Sequence, residues 1–167
     1  TGVQTCALPI YALVVLRDAD LDLAVQCAIN GAYFGTGQKC TASSRLIIER
    51  AVYEPFLETF MAEASQLRVG HALEPETQIG PVIDLQQLEK NLEYIDIGRA
   101  EGATLAMGGE RLERPTSGYF MQPALFTGGT NDMRLNREEV FGPIACTLVA
   151  DDYEHALDRK STRLNSQ

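Results

Sequence analysis

The segment FGTGQKCTASSRL, residues 34–46, decides the fold, because it lies between a predicted helix and a predicted strand. Gly35 and Gly37 allow a tight backbone turn after the helix, since glycine accepts conformations that other residues avoid. Residues 45–48 are mostly apolar and β-branched and are typical of a strand. Residues 38–40 are therefore predicted to lie on a loop, where folded scaffolds often hold functional groups.

Helices and strands are predicted to alternate on both sides of this segment. The apolar runs predict strands at residues 12–16, 45–48, 103–107, 120–126 and 144–149. The helical periods begin at four positions, namely Asp20, Tyr53, Asp84 and Tyr153. This alternation is typical of an α/β domain, in which helices flank a mostly parallel sheet. The 167 residues, of which 45% are hydrophobic, are enough for one globular core.

The helix that follows Asp84 carries a capping signal at its start. Gln87 stands three residues after Asp84, which predicts a capping box in which each side chain bonds the backbone of the other residue. The leucine and isoleucine residues of this helix repeat at helical spacing and are predicted to face the core: Leu85, Leu88, Leu92 and Ile95.

The formal net charge of −9 is spread along the chain without blocks of like charge. A diffuse acidic surface argues against nucleic acid and anionic membranes as partners. The longest apolar run, residues 6–16, is too short to cross a bilayer. No basic segment precedes that run, so a signal peptide is not expected and the predicted location is cytoplasmic.

The cysteines do not form a metal-binding or disulfide pattern. The chain has four cysteines and two histidines, with no CxxC pair and no histidine near a cysteine, so neither a zinc site nor a disulfide scaffold is expected. A single cysteine is more often an inert core residue than a nucleophile. Cys27, in a helix, and Cys146, in an apolar strand, are interpreted in this way, whereas Cys40 lies on the glycine-rich loop.

Two motifs resemble those of one enzyme family. The stretch FGTGQKCTA, residues 34–42, is similar to the cysteine active-site motif of the aldehyde dehydrogenase superfamily. The stretch EEVFGP, residues 138–143, resembles a second motif of that family and follows at the expected separation. The resemblance extends over residues 12–158 and includes the stretches IGPV, residues 79–82, and GYFMQP, residues 118–123.

The resemblance implies a mechanism and a set of site residues. Cys40 would attack the aldehyde carbon to give a thiohemiacetal, and loss of hydride to NAD or NADP would give a thioester that water hydrolyses. The backbone N–H of Cys40 would help to hold the oxyanion. Glu139 would bind the nicotinamide ribose, and Phe141 would pack near the nicotinamide. No metal is implied, and the enzyme would be a homo-oligomer acting on a small aldehyde.

The substrate and two alternative functions are left open by the sequence. The stretch QKCTASSR, residues 38–45, most resembles dehydrogenases of 2-oxoglutarate semialdehyde. Arg45 could pair with a carboxylate of such a substrate, but an arginine at the start of a strand is more often a surface residue. The residues alone would make Glu139 a solvated carboxylate and Phe141 a packing residue. The alternatives are a non-catalytic structural member of the family and a cysteine-dependent hydrolase or redox domain. The second alternative needs a histidine near Cys40 or a CxxC pair, and this sequence has neither.

The two ends of the chain are predicted to differ from its body. Residues 1–10 and 159–167 resemble translated adapter sequence, so the expected domain is a partial aldehyde dehydrogenase catalytic domain over residues 11–158. The nucleotide-binding domain is expected to be absent. Counting back from Ala12, Cys6 stands where the family has its general-base glutamate. The chain on its own is therefore expected to show no NAD-dependent aldehyde oxidation.

Overall fold

The computed structural model describes residues 11–160. The predictions for residues 1–10, including that for Cys6, and for residues 161–167 lie outside them. Seven strands are present in the described part: β1 (Ala12–Val15), β2 (Arg45–Glu49), β3 (Thr104–Met107), β4 (Arg111–Leu112), β5 (Phe120–Met121), β6 (Ala124–Thr127) and β7 (Ile144–Ala150). The α-helices of that part are α1 (Leu21–Tyr33), α2 (Tyr53–Ala64), α3 (Leu85–Ala100), α4 (Arg134–Arg137) and α5 (Tyr153–Lys160).

The main sheet has five strands in the order β1-β2-β7-β6-β3. The pairs β1–β2, β2–β7 and β7–β6 are parallel, and only β3 runs antiparallel to its neighbour β6. Side chains alternate between the two faces of each strand. On β7, Ala145 joins the cluster that contains α1 and α2, whereas its neighbour Ile144 joins the cluster with α3. Helix α5 packs on the same side of the sheet as α3. The prediction of an α/β fold with helices flanking a mostly parallel sheet is confirmed.

The segment predicted as one strand over residues 120–126 is divided into two. β5 pairs with β4 in a separate two-stranded sheet, whereas β6 pairs with β7 in the main sheet. Pro123 lies between them and has no backbone N–H to donate to a neighbouring strand. The interruption at proline lets the chain pass from the small sheet to the large one.

Helix α3 begins at its predicted cap but differs from the prediction at two side chains. The Asp84 carboxylate accepts the backbone N–H of Gln87 at 2.7 Å, as a capping residue should. The reciprocal bond of a capping box, from the Asp84 N–H to the Gln87 side-chain oxygen, is not made within the described residues. The Gln87 amide nitrogen donates to Asn91, Val140 and Phe141. Leu85 is 42% exposed rather than buried, since the buried stripe of the helix begins only at Leu88.

Arg45 is not the surface residue that its position at the start of β2 suggested. It is 1% exposed, because β2 lies inside the sheet between β1 and β7 and its first residue is covered from outside. Its guanidinium donates to the Asn131 side-chain oxygen at 3.0 Å and to the carbonyl of Arg159. These contacts fix the junction between β2 and α5. Within residues 11–160, no helix is long and apolar enough to cross a membrane.

Candidate active site

The loop that carries Cys40 is created by a reversal at the end of α1. Gly35, Thr36 and Gly37 take φ values of 67°, 59° and 62°, so three consecutive residues adopt the left-handed conformation. Threonine rarely adopts such a backbone. Its hydroxyl donates to the carbonyl of Gly80 at 3.2 Å, and this bond helps to hold the strained turn in place.

Hydrogen bonds at both ends fix the loop that follows the turn. The Gln38 side-chain oxygen accepts the N–H of Ile83 at 3.0 Å. The N–H of Ala42 donates to Lys39 O at 3.0 Å, which places Cys40 inside a tight turn. The N–H of Ser43 donates to the carbonyl of Gly31 at 2.9 Å and returns the chain to α1. Cys40 is thus held on a fixed loop with an exposed side chain.

The adjacent glutamates of the EEVFGP segment have different environments. The Glu138 carboxylate accepts the Tyr94 hydroxyl at 2.7 Å and two N–H groups of Arg134 at 2.9 and 3.0 Å. The hydrogen bond from Arg134, followed by that from Tyr94, holds the pKa of Glu138 below its usual value. The half-buried Glu139 carboxylate has no hydrogen bond or ion pair with any residue between 11 and 160. Glu138 therefore anchors the segment, and Glu139 has an acceptor available for a ligand.

The backbone after Glu139 makes a strained turn that helix α3 supports. Phe141 has a φ of 58°, which is unfavourable for an aromatic residue. The Gln87 side-chain amide donates to the carbonyls of Val140 and Phe141, both at 3.0 Å, and also to the Asn91 oxygen at 2.8 Å. Asn91 is fully buried. A pair of amides on α3 therefore holds the segment from below.

The two segments meet at Gly37 and Gly142. A Cβ placed on Gly37 would lie 2.5 Å from the carbonyl carbon of Gly142 and 2.9 Å from the carbonyl oxygen of Ala32. Such distances are too short for non-bonded atoms, so only glycine allows this approach. The contact brings the Cys40 loop against the EEVFGP segment although the two lie far apart in the sequence.

Cys40, Glu139 and Phe141 line one small pocket above this contact. The pocket holds about 20 Å³, which is room for about one water molecule. The structure therefore brings together the three residues that the sequence singled out. It also shows two residues that sequence reasoning missed, Gln87 and Asn91. The polar Asn91 within the buried stripe of α3 was the signal that could have indicated them.

The remaining described cysteines have opposite environments. Cys146 is buried in β7 as predicted, and its burial raises the pKa of the thiol to about 11. Cys27 is exposed, and its interpretation as a core residue is wrong. The core face of α1 is formed by Val25, Ala28, Ile29 and Ala32, which leaves Cys27 on the outer side. No cluster of metal-binding side chains occurs in the described part of the chain.

Glu139 and Phe141 are the described side chains of this pocket whose chemistry suits one part of a dinucleotide cofactor. A free carboxylate such as that of Glu139 can accept hydrogen bonds from two neighbouring hydroxyl groups, which fits a ribose. The half-buried Phe141 ring beside it offers an apolar surface. The connection between β1 and α1, residues 16–20, contains no glycine, so this one connection lacks the glycine-rich turn that usually holds a pyrophosphate.

Comparison with known proteins points to a single family. The family model described as "Aldehyde dehydrogenase family" matches residues 11–162. The chain is 40% identical over 148 residues to alpha-ketoglutaric semialdehyde dehydrogenase of Bacillus subtilis, covering 87% of this chain and 30% of that protein. It is 44% identical over 146 residues to 2,5-dioxopentanoate dehydrogenase of Saccharolobus solfataricus, with coverage of 87% and 30%.

A solved structure agrees with the sequence matches. The NAD+ complex of an aldehyde dehydrogenase from Bacillus cereus superposes with a TM-score of 0.87 at 38% identity, covering 91% of this chain and 30% of that one. The chain thus spans about 30% of the length of these relatives. Since the family model covers nearly all of the sequence and the fold agrees with that of a solved member, the chain belongs to the aldehyde dehydrogenase family.

Proposed function

We propose that this chain is the catalytic-cysteine part of a longer NAD(P)-dependent aldehyde dehydrogenase, with Cys40 as the nucleophile. The observation that carries the proposal is the pocket in which the exposed Cys40 lies beside Glu139 and Phe141. An unpaired carboxylate and an aromatic ring next to a thiol suit a reaction in which a sulfur-bound substrate faces a nicotinamide riboside. The share of the relatives that the chain covers supports a longer enzyme.

In the proposed reaction, the Cys40 thiolate forms a bond to the aldehyde carbon, and the carbonyl electron pair moves to oxygen. The oxyanion of this thiohemiacetal then reforms the carbonyl while hydride leaves the carbon, which gives a thioester. A bound nicotinamide would supply the oxidising equivalent, as the acceptor of that hydride. Water adds to the thioester, the carbon–sulfur bond breaks, and the acid and the free thiol are released.

The backbone of the Cys40 loop is suited to stabilise the oxyanion. Neighbouring N–H groups, such as that of Ala42, bond within the loop, whereas the N–H of Cys40 meets no acceptor within residues 11–160. A free N–H on the residue that bears the nucleophile lies close to the oxygen that becomes negative. Because the loop is fixed at both ends, this donor needs little rearrangement during the reaction.

Glu139 and Phe141 are proposed to orient the cofactor. The carboxylate of Glu139 would accept hydrogen bonds from the nicotinamide ribose, and the Phe141 ring would pack beside the nicotinamide. The choice between NAD and NADP is not made by these residues, because the groups that distinguish the two cofactors lie at the adenosine end.

The proposed substrate is 2-oxoglutarate semialdehyde. The names of two relatives, alpha-ketoglutaric semialdehyde dehydrogenase and 2,5-dioxopentanoate dehydrogenase, denote this same compound and support the resemblance of residues 38–45. Arg45 is not proposed as the carboxylate-binding group, because its guanidinium bonds Asn131 and Arg159. The enzyme is further proposed to be a cytoplasmic homo-oligomer.

The test uses the full-length enzyme with NAD and a panel of aldehydes. Wild type should reduce NAD with 2-oxoglutarate semialdehyde at a higher kcat/KM than with a quaternary-ammonium aldehyde or a long apolar aldehyde. Cys40→Ala should abolish turnover while NAD still binds. Glu139→Gln should raise the KM for NAD about tenfold, the effect of losing one or two hydrogen bonds to a charged acceptor.

The outcomes separate the proposal from its alternatives. Turnover by Cys40→Ala would contradict the nucleophile, and an unchanged KM for NAD in Glu139→Gln would contradict the cofactor role. Absence of any turnover in the wild type, together with normal folding, would favour a non-catalytic family member. Hydrolysis of a thioester or amide without NAD would favour a cysteine hydrolase.

A further inference from the structure

Two amide side chains of α3, those of Gln87 and Asn91, lie below the pocket and bond each other. Asn91 is 0% exposed, and its side-chain oxygen accepts from Gln87 at 2.8 Å. The Asn91 amide nitrogen meets no acceptor within the described residues. A buried polar group with an unmade bond is costly, so an apolar side chain would pack here at lower cost unless the amide has another role.

The Gln87 side chain holds the backbone of the pocket wall that Glu139 and Phe141 form. Its amide nitrogen lies 3.0 Å from both the Val140 and the Phe141 carbonyl oxygens. Two successive carbonyls directed at one donor are compatible with only a narrow range of backbone angles. The bonds therefore stabilise the left-handed conformation of Phe141 and, with it, the direction in which Glu139 and Phe141 point.

Asn91 determines how closely the two loops approach each other. A Cβ on Gly142 would lie 2.5 Å from the Asn91 amide carbon, so the amide touches the Gly142 backbone. Gly142 in turn touches Gly37, three residues before Cys40. Asn91 therefore contacts Gly142, and Gly142 contacts Gly37. These two contacts fix the position of the Cys40 loop relative to α3.

We propose that Gln87 and Asn91 are positioning residues that set the distance between the Cys40 thiol and the cofactor-binding wall formed by Glu139 and Phe141. The proposal rests on the function proposed above and deepens it. Neither amide touches the reacting atoms. Gln87 holds the wall through its two carbonyls, and Asn91 supports the backbone contact on which the nucleophile loop rests. Their loss changes the alignment of the reacting groups but removes none of them.

The first experiment compares Gln87→Glu with Gln86→Glu in the full-length enzyme. Gln86 is exposed on the same turn and gives the same change in charge, so it is the matched control. Gln87→Glu replaces a donor by an acceptor opposite two carbonyls. It should lower kcat/KM for NAD about tenfold, whereas Gln86→Glu should have no effect. Equal thermal stability of the two variants excludes unfolding as the cause.

A pH profile separates positioning from a general loss of structure. A protonated glutamic acid is again a hydrogen-bond donor. The NAD affinity of Gln87→Glu should therefore approach that of the wild type as the pH falls to about 5, close to the usual pKa of a carboxyl group. Gln87→Ala cannot regain a donor and should remain weak at the same pH. No recovery in Gln87→Glu would overturn the role of the donor.

Thiol labelling tests the geometry without relying on enzyme activity. Iodoacetamide labelling of Cys40 is measured relative to that of Cys27. Cys27 is exposed on the outer face of α1 and serves as an internal reference. Gln87→Glu and Asn91→Leu should change the ratio of Cys40 to Cys27 labelling at least about threefold, because displacement of the wall alters the surroundings of the Cys40 thiol and leaves those of Cys27 unchanged. An unchanged ratio would overturn the proposal even if Cys40→Ala and Glu139→Gln confirm the dehydrogenase function. A changed ratio in an enzyme without turnover would refute the function alone.

Discussion

Replacing Gly37 by alanine should be unusually destabilising. The new Cβ would lie 2.5 Å from the Gly142 carbonyl carbon, about 1 Å inside a normal carbon–carbon contact. It would also lie 2.9 Å from the Ala32 carbonyl oxygen, so movement away from one neighbour is opposed by the other. A non-glycine residue at a φ of 62° costs about 1–2 kcal/mol, and overpacking typically adds about 1–3 kcal/mol.

The expected loss of about 2–5 kcal/mol is the sum of these two effects. Gly128→Ala separates them, because Gly128 has a φ of 72° and nothing within 4 Å of the position of a Cβ. That control should lose only the conformational part, about 1–2 kcal/mol. Urea unfolding of both variants can be followed by circular dichroism, which suits a chain without tryptophan. Equal losses for the two substitutions would refute the backbone contact between the loops.

Two further predictions concern ionisable groups. Under native conditions at pH 8, iodoacetamide should label Cys40 fastest and Cys27 next, whereas Cys146, whose pKa is raised to about 11 by burial, should react only after unfolding; peptide mapping would contradict this order if Cys27 reacted first. Glu138→Gln should lose at most about 1 kcal/mol at pH 7, because the carboxylate is partly exposed to solvent. The hydrogen bond from Arg134 lowers the folded pKa of Glu138, so its stabilisation is complete above the usual carboxyl pKa and disappears as the pH falls through the lowered value. The urea midpoints of the wild type and Glu138→Gln should therefore converge as the pH falls below the usual carboxyl pKa, and a constant difference would contradict the linkage.

The parts of the fold that depend on neighbouring residues could be predicted from the sequence. Asp20 and Asp84 both accept a backbone N–H three residues later, and the helices begin where these caps indicate. The parallel pairing of the strands followed from the alternation of helix and strand. Cys27 was misinterpreted because the usual burial of cysteine was given more weight than the helical period, which places it away from the core.

The parts that depend on distant residues could not be predicted. The Gln87 side chain was expected to bond the nearby Asp84, but it donates to carbonyls 53 and 54 residues away. Two partners of Arg45, Asn131 and Arg159, lie 86 and 114 residues along the chain. The three residues of the candidate site were found through motif resemblance, whereas no local pattern indicates that two glycine backbones bring them into one pocket.

The contact between Gly37 and Gly142 has a consequence for the way in which the protein folds. It joins two points about 100 residues apart, and the parallel pairing of β2 with β7 closes a loop of similar length. Contacts of such high order form late, since the loss of chain entropy precedes the gain from pairing. At about 5–20 residues per second, a ribosome needs several seconds between the synthesis of Cys40 and that of its partner segment. During that interval the thiol is already made but has no pocket around it, so the pocket that Cys40 lines forms only after residues 139–142 have been synthesised.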